Sequence, residues 1–153
     1  MEGKYSVLNI AEYIVEYCNK HYLHITNMRL QKILYFIQAY FLMKSNGEIV
    51  AFNEDIEAWD LGPTVPCIFH QYKRFGSGQI PFNDNSYSGI FSDDDRNIIE
   101  EVILHFKDKS SIYMMEVTHN QKPWKEAYNK QNLERVITKN SIYEYFVGKH
   151  SIY

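Results

Sequence analysis

The chain has 153 residues, of which 45% are hydrophobic and 23% charged, and this balance is typical of a globular domain rather than a disordered segment. The net charge of −3 gives no general reason to expect a nucleic-acid partner. Residues 1–9 do not resemble a signal peptide, and no apolar run reaches the ~18 residues that a membrane span needs. We therefore expect one cytoplasmic domain over residues 1–153, with no membrane partner.

Periodic apolar residues predict the first two helices. Spacings of three and four predict a helix over residues 7–22. The residues of its expected buried stripe are Leu8, Ala11, Val15, Cys18 and Tyr22. Thr26 or Asn27 would cap a second helix, which ends near residues 45–47 with Gly47 in the left-handed conformation. This second helix is apolar nearly all round, which is typical of a central, buried helix.

The middle of the chain contains more turn residues. Residues 49–59 are compatible with an irregular segment or a short hairpin. The Leu61-Gly62-Pro63 sequence predicts a chain reversal, after which Thr64 would cap a third helix with Pro66 in its first turn. That helix would end at Gly76, and residues 77–91 predict a long surface loop.

The last third of the chain predicts further helices. Ser92 and the three aspartates after it predict a helix that begins there and runs through Phe106. We expect a short helical turn at residues 111–116, a helix that begins at Pro123, and a final helix near residues 141–146. The predicted fold is thus mainly α: a single compact domain of about six helices, with room for one short β-hairpin.

The sequence contains no recognised catalytic or metal-binding pattern. The six histidines do not stand at metal-ligand spacings, and we predict that they are dispersed over the surface: His21, His24, His70, His105, His119 and His150. Cys18 and Cys67 are isolated in apolar patterns and are predicted to be buried, reduced side chains. We expect no catalytic residue, no metal and no cofactor.

The high aromatic content, 16% of residues, has two interpretations. It can reflect the codon usage of an A·T-rich genome, or it can supply an aromatic interaction surface. For the second interpretation, the candidate exposed tyrosines are Tyr5, Tyr13, Tyr87 and Tyr153.

Two segments combine a tryptophan with polar residues at an element boundary: residues 56–66 and residues 117–127. A tryptophan beside proline often pins a loop to the core, and this is the interpretation we favour. The alternative is a ligand or catalytic pocket that contains Glu57, Trp59, His119 and Trp124.

The same segments resemble one protein family. Residues 27–39 are similar to its "LQKLLYY-Q" helix, residues 56–73 to its "IEAW--GPVVP---Y-YK" motif, and residues 118–127 to its "THS--PW-EA" motif. The family is the Panacea domain, also called SocA-like or phage-associated GepA type. Small departures are Thr64, where the family usually has valine, and Asn120, where it usually has serine. The motif positions, to which the resemblance gives a binding or structural role, are Leu30, Gln31, Lys32, Tyr35, Glu57, Trp59, Gly62, Pro63, Pro66, Tyr72, Thr118, His119, Pro123 and Trp124.

The resemblance implies an antitoxin rather than an enzyme. Its partner would be a cognate toxin, encoded by an adjacent gene and neutralised by direct contact. One branch of the family delivers its toxin to a protease, so an AAA+ protease would be a second partner.

Two other functions remain open from the residues. One is a small-ligand or enzymatic pocket built from residues 59–66 and 118–124. The other is a DNA-binding autorepressor, for which clustered basic residues on one surface would be required. The cations concerned are Lys32, Lys73, Arg74, Lys122 and Lys125.

Overall fold

The computed structural model describes residues 2–129 and 135–153. Over these residues the structure is mainly helical and compact, which confirms the predicted fold class. Its seven α-helices are α1 (Val7–Lys20), α2 (Asn27–Lys44), α3 (Pro66–Tyr72), α4 (Asp93–His105), α5 (Ser111–His119), α6 (Lys122–Asn129) and α7 (Lys139–Lys149). Its three strands are β1 (Ile56–Trp59), β2 (Gly62–Thr64) and β3 (Val136–Ile137), and short 3₁₀ helices cover Lys73–Phe75 and Ser88–Ile90. Among the described residues, no helix combines the length and the apolar character that crossing a bilayer requires.

Helix α2 lies at the centre of the fold. It packs against α1, α4, α5, α7 and β2, and nearly all of its side chains are buried. The Thr26 side chain caps the helix by accepting from the Arg29 N–H, and Gly47 beyond its end has a φ of 84°. The buried, polar Gln38 is satisfied because its amide donates to the Phe52 carbonyl and its oxygen accepts from the Ala51 N–H. The predictions of a central helix, its cap and its left-handed glycine are confirmed.

The buried face of α1 differs from the predicted stripe. Ser6 caps the helix, and its core contacts come from Val7, Ile10 and Ile14 as well as from the predicted Ala11, Val15 and Cys18. Leu8 is 39% exposed and Tyr22 is 96% exposed, so both were assigned wrongly. The reason is that the helix ends at Lys20, and Tyr22 lies beyond it in a left-handed conformation.

A three-stranded antiparallel sheet with the order β2-β1-β3 covers one side of the helices. The predicted hairpin exists, but it joins β1 to β2, with Trp59 opposite Gly62 and Glu57 opposite Thr64. Gly62, Pro63 and Thr64 therefore belong to a strand, and the reversal occurs at Asp60 and Leu61. Thr64 does not cap α3, because its buried hydroxyl donates to the Gly62 carbonyl.

Side-chain burial corrects two further predictions. Cys18 is buried as predicted, but Cys67 is exposed, because Ile68 and Tyr72 form the inward face of the short helix α3. Of the four candidate tyrosines for an exposed aromatic surface, Tyr13 is buried and Tyr5 and Tyr87 are half-buried, so Tyr153 alone among them is exposed. The predicted loop over residues 77–91 carries the 3₁₀ helix Ser88–Ile90 and is held by the buried side chains of Ile80 and Phe91.

Candidate binding site at the hairpin

The hairpin brings together residues from all three motif segments. Gly62 in β2 has a φ of +112°, a conformation that side chains rarely adopt. A Cβ atom at this position would lie 2.7 Å from Cε of Lys32 in α2 and 3.1 Å from Oγ1 of Thr118 in α5. Glycine is favoured at this crossing, because the backbone conformation is strained for any side chain and a Cβ atom would displace the end of Lys32.

Lys32 is the least expected residue of the site. It is only 1% exposed, and its ammonium donates to the Pro63 carbonyl at 3.2 Å. Burial lowers the pKa of Lys32 to about 7, because a charged amine loses its hydration in the interior.

Gln31, the neighbour of Lys32, fixes the junction between β2 and α3. Its side-chain oxygen accepts from the Val65 N–H at 2.8 Å, and its amide donates to Asn27 Oδ1 at 2.9 Å. The bond from the Val65 N–H holds the chain at the N-terminus of α3, where Val65 makes no side-chain cap bond. Gln31 is thereby a structural link between α2 and the chain that follows the hairpin.

The two tryptophans link the hairpin to α6. The indole N–H of Trp124 donates to the Trp59 carbonyl at 2.9 Å, and that of Trp59 donates to Glu57 Oε1 at 2.9 Å. Trp124 also stacks against Tyr128, whose hydroxyl donates to Asp60 Oδ1 in the hairpin turn. Both tryptophans are half-buried, so this geometry supports the pinning role that we favoured.

His119 is not the simple surface residue that the sequence suggested. Its ring packs against Trp124 with centroids 4.1 Å apart. Its Nε2 atom is buried and makes no hydrogen bond within the described residues. The hydrogen bond to a carboxylate that an enzymatic pocket would need is absent from this nitrogen. The other five histidines are exposed.

The remaining motif residues lie in the interior or at helix starts. Tyr35 is fully buried, and its hydroxyl donates to Gln121 Oε1 at 2.7 Å, which joins α2 to the start of α6. Leu30 and Tyr72 belong to the hydrophobic core. Pro66 and Pro123 lie in the first turns of α3 and α6, where a missing N–H costs nothing. None of the fourteen motif residues, all within the described part of the chain, is exposed.

A cavity of about 610 Å³ opens beside the hairpin. Its lining residues come from the start of α2, the hairpin, α3 and the start of β3: Met28, Gln31, Lys32, Glu57, Ala58, Trp59, Asp60, Leu61, Thr64, Phe69 and Arg135. The alternative of a ligand pocket named four residues, and this cavity includes two of them. Glu57 and Trp59 line it, but His119 and Trp124 do not. Met28, Phe69 and Arg135 were missed, because nothing in their local sequence marks them.

The five cations that a DNA-binding surface would require do not all lie on one surface. Lys32 is buried, so it cannot contribute to an exposed basic surface for DNA. Lys73 and Arg74 lie on the 3₁₀ helix after α3, whereas Lys122 and Lys125 lie on α6. Within residues 2–129 and 135–153, no group of three His, Cys, Asp or Glu side chains is arranged to hold a metal ion.

Comparison with known proteins gives one match. A family model described as "Antitoxin SocA-like, Panacea domain" matches residues 30–125, which is more than half of the chain. The match spans the motif residues of α2, the hairpin and the start of α6. No curated protein and no solved structure matches the chain.

Proposed function

Because the chain belongs to the SocA-like antitoxin family with the Panacea domain, we propose that it neutralises a cognate toxin protein by direct contact. The whole chain, residues 1–153, would act as one domain in the cytoplasm, beside a toxin encoded by the adjacent gene. The family match over residues 30–125 is the observation that carries this proposal.

The placement of the motif residues supports a division between scaffold and binding surface. All fourteen are buried or half-buried, and hydrogen bonds from Lys32 to Pro63 and from Trp124 to Trp59 tie α2 and α6 to the hairpin. Such residues maintain a fold, whereas a partner is recognised by side chains that reach the surface. Toxin contacts would then come mainly from residues outside the motifs.

Exposed apolar side chains are the candidate anchors for such a contact. Leu61 in the hairpin turn is 57% exposed and Ile112 in the first turn of α5 is 62% exposed. Tyr113, next to Ile112, is exposed as well. Apolar and aromatic residues of this kind supply most of the affinity in protein interfaces.

The proposal is tested by expressing the adjacent reading frame with and without this protein. We expect growth arrest from the neighbour alone, relief on co-expression, and co-purification of the two chains. Leu61→Asp and Ile112→Asp locate the contact, and Leu104→Asp, on the exposed face of α4, is the matched control. A harmless neighbour that does not co-purify would contradict the proposal.

Inhibition by contact and delivery to a protease can be distinguished by the stoichiometry of neutralisation and by the half-life of the toxin. Inhibition by contact should require at least equimolar antitoxin and should leave the toxin intact in a complex. Delivery to an AAA+ protease should shorten the toxin half-life, and deletion of the protease should restore it. If an amount of this protein far below that of the toxin were sufficient for neutralisation, and the toxin stayed intact but chemically modified, the protein would instead act as an enzyme.

A further inference from the structure

The cavity beside the hairpin contains a buried cation that the antitoxin proposal does not use. We propose that this cavity binds a small organic carboxylate with an apolar body, and that the ammonium of Lys32 is its counter-ion. This inference goes beyond toxin neutralisation and does not depend on it.

The first support is the incomplete pairing of Lys32. An ammonium has three N–H donors, and the bond to the Pro63 carbonyl accounts for one of them. Within residues 2–129 and 135–153, no carboxylate oxygen lies within 4.0 Å of its nitrogen, whereas five other basic–acidic pairs do meet this distance. Burial of a cation without an anionic partner is unfavourable, so a bound carboxylate would supply the missing charge.

The second support is the position of Lys32 in the cavity wall. Its side chain is held under the hairpin, with Cε against Gly62, and it is also one of the lining residues. Gln31 and Thr64 line the cavity nearby, but the Gln31 amide donates to Asn27 Oδ1 and the Thr64 hydroxyl donates to the Gly62 carbonyl. Lys32 is therefore a basic residue of the inner wall, with Arg135 as a second basic lining residue, and a short movement of the flexible end of Lys32 would bring its ammonium to a ligand.

The remaining lining residues define the ligand class. Met28, Trp59 and Phe69 are half-buried and offer apolar and aromatic walls. Glu57 and Asp60 bring two negative charges to the same cavity, against the positive charges of Lys32 and Arg135, so the lining has no surplus positive charge for a ligand with two or more anionic groups. The volume of about 610 Å³ lies in the roughly 300–1,000 Å³ range of small-molecule sites. A monocarboxylate with an apolar body satisfies all three conditions.

The test uses purified full-length protein and two probes that differ only in charge: 3-phenylpropionate and its neutral amide, 3-phenylpropanamide. Binding is measured by calorimetry and by backbone NMR shifts of Trp59 and Phe69. We expect saturable binding of the carboxylate, with the amide weaker by about tenfold or more, as for other charge-assisted hydrogen bonds. Equal binding of both probes, or saturable binding of neither, would overturn the proposal.

Two variants assign the effect to Lys32. Lys32→Met retains the length of the side chain and should lose about tenfold or more in affinity for the carboxylate, whereas the exposed Lys73→Met should bind as the wild type does. If Lys32→Met does not fold, the wild-type protein with isotope-labelled lysine provides the same answer. The carboxylate should raise the titration midpoint of the Lys32 side-chain signal and the amide should not. An unchanged midpoint at saturation would exclude Lys32 as the counter-ion.

Discussion

Substitution of Gly62 by alanine is the most direct test of how the hairpin crosses α2. The new Cβ would force a side chain into a φ of +112° and would lie 2.7 Å from Lys32 Cε and 3.1 Å from Thr118 Oγ1. The backbone conformation costs about 1–3 kcal/mol, and the shift that the new Cβ forces on the end of Lys32 and on Thr118 costs about 1 kcal/mol more. We therefore expect Gly62→Ala to lower the free energy of unfolding by about 2–4 kcal/mol.

Two other glycines separate these contributions. Gly76 has a φ of +57° but open space around its Cβ position, so Gly76→Ala should show only the backbone cost. Gly148 lies in α7 with open space and no positive φ, and Gly148→Ala should stabilise the protein by up to about 1 kcal/mol through helix propensity.

Urea denaturation followed by circular dichroism measures all three variants. From the most to the least stable, the expected order is Gly148→Ala, wild type, Gly76→Ala and Gly62→Ala. If Gly62→Ala were no less stable than Gly76→Ala, the close approach of the hairpin to Lys32 and Thr118 would be refuted.

Three further predictions follow from buried polar groups and from the cysteines. Because the pKa of Lys32 is lowered in the folded state, the unfolded chain binds more protons than the folded chain above about pH 7. The stability of the wild type relative to Lys32→Met should therefore rise by about 1 kcal/mol per pH unit from pH 7 to 9. A stability difference between the two proteins that stays constant over this range would disprove the lowered pKa. Tyr35→Phe leaves the buried Gln121 oxygen without its donor and should cost about 1–3 kcal/mol in thermal or urea unfolding, and a double-mutant cycle with Gln121→Leu should show coupling between the two positions. Iodoacetamide should modify the exposed Cys67 in the folded protein but not Cys18, because Cys18 is buried and burial raises its pKa to about 12. Mass spectrometry should therefore find one adduct in the folded protein and a second adduct only in denaturant. Modification of Cys18 in the folded protein would contradict its burial.

Much of the helical structure could be predicted because its determinants are local. Thr26 and Ser92 were identified as helix caps, and each accepts a hydrogen bond from an N–H three residues later. Such bonds involve neighbours in the chain, so the local sequence is sufficient to specify them. The central position of α2 could also be predicted, because a helix that is apolar all round has no face left for water.

Predictions failed where an apolar pattern had to be assigned to a particular face. The spacing of Leu8 and Tyr22 fitted a helix, but both are exposed, because the core lies against a neighbouring set of residues and the helix ends before Tyr22. Cys67 fitted an apolar pattern as well, yet α3 turns it outward. Periodicity identifies a helix, but the faces that become buried depend on where the other elements pack.

The sequence by itself determined that this chain is mainly helical, where its principal caps lie, and that its three motif segments belong together in one family. Only the tertiary structure decided that Lys32 is buried, because the Pro63 carbonyl and Gly62 that cover it come from a hairpin about thirty residues further along the chain. The same long-range contacts made the cavity, whose walls combine Met28, Trp59, Phe69 and Arg135 from separate elements. Burial and cavities arise from contacts between distant residues, and no local pattern encodes which distant residues will meet.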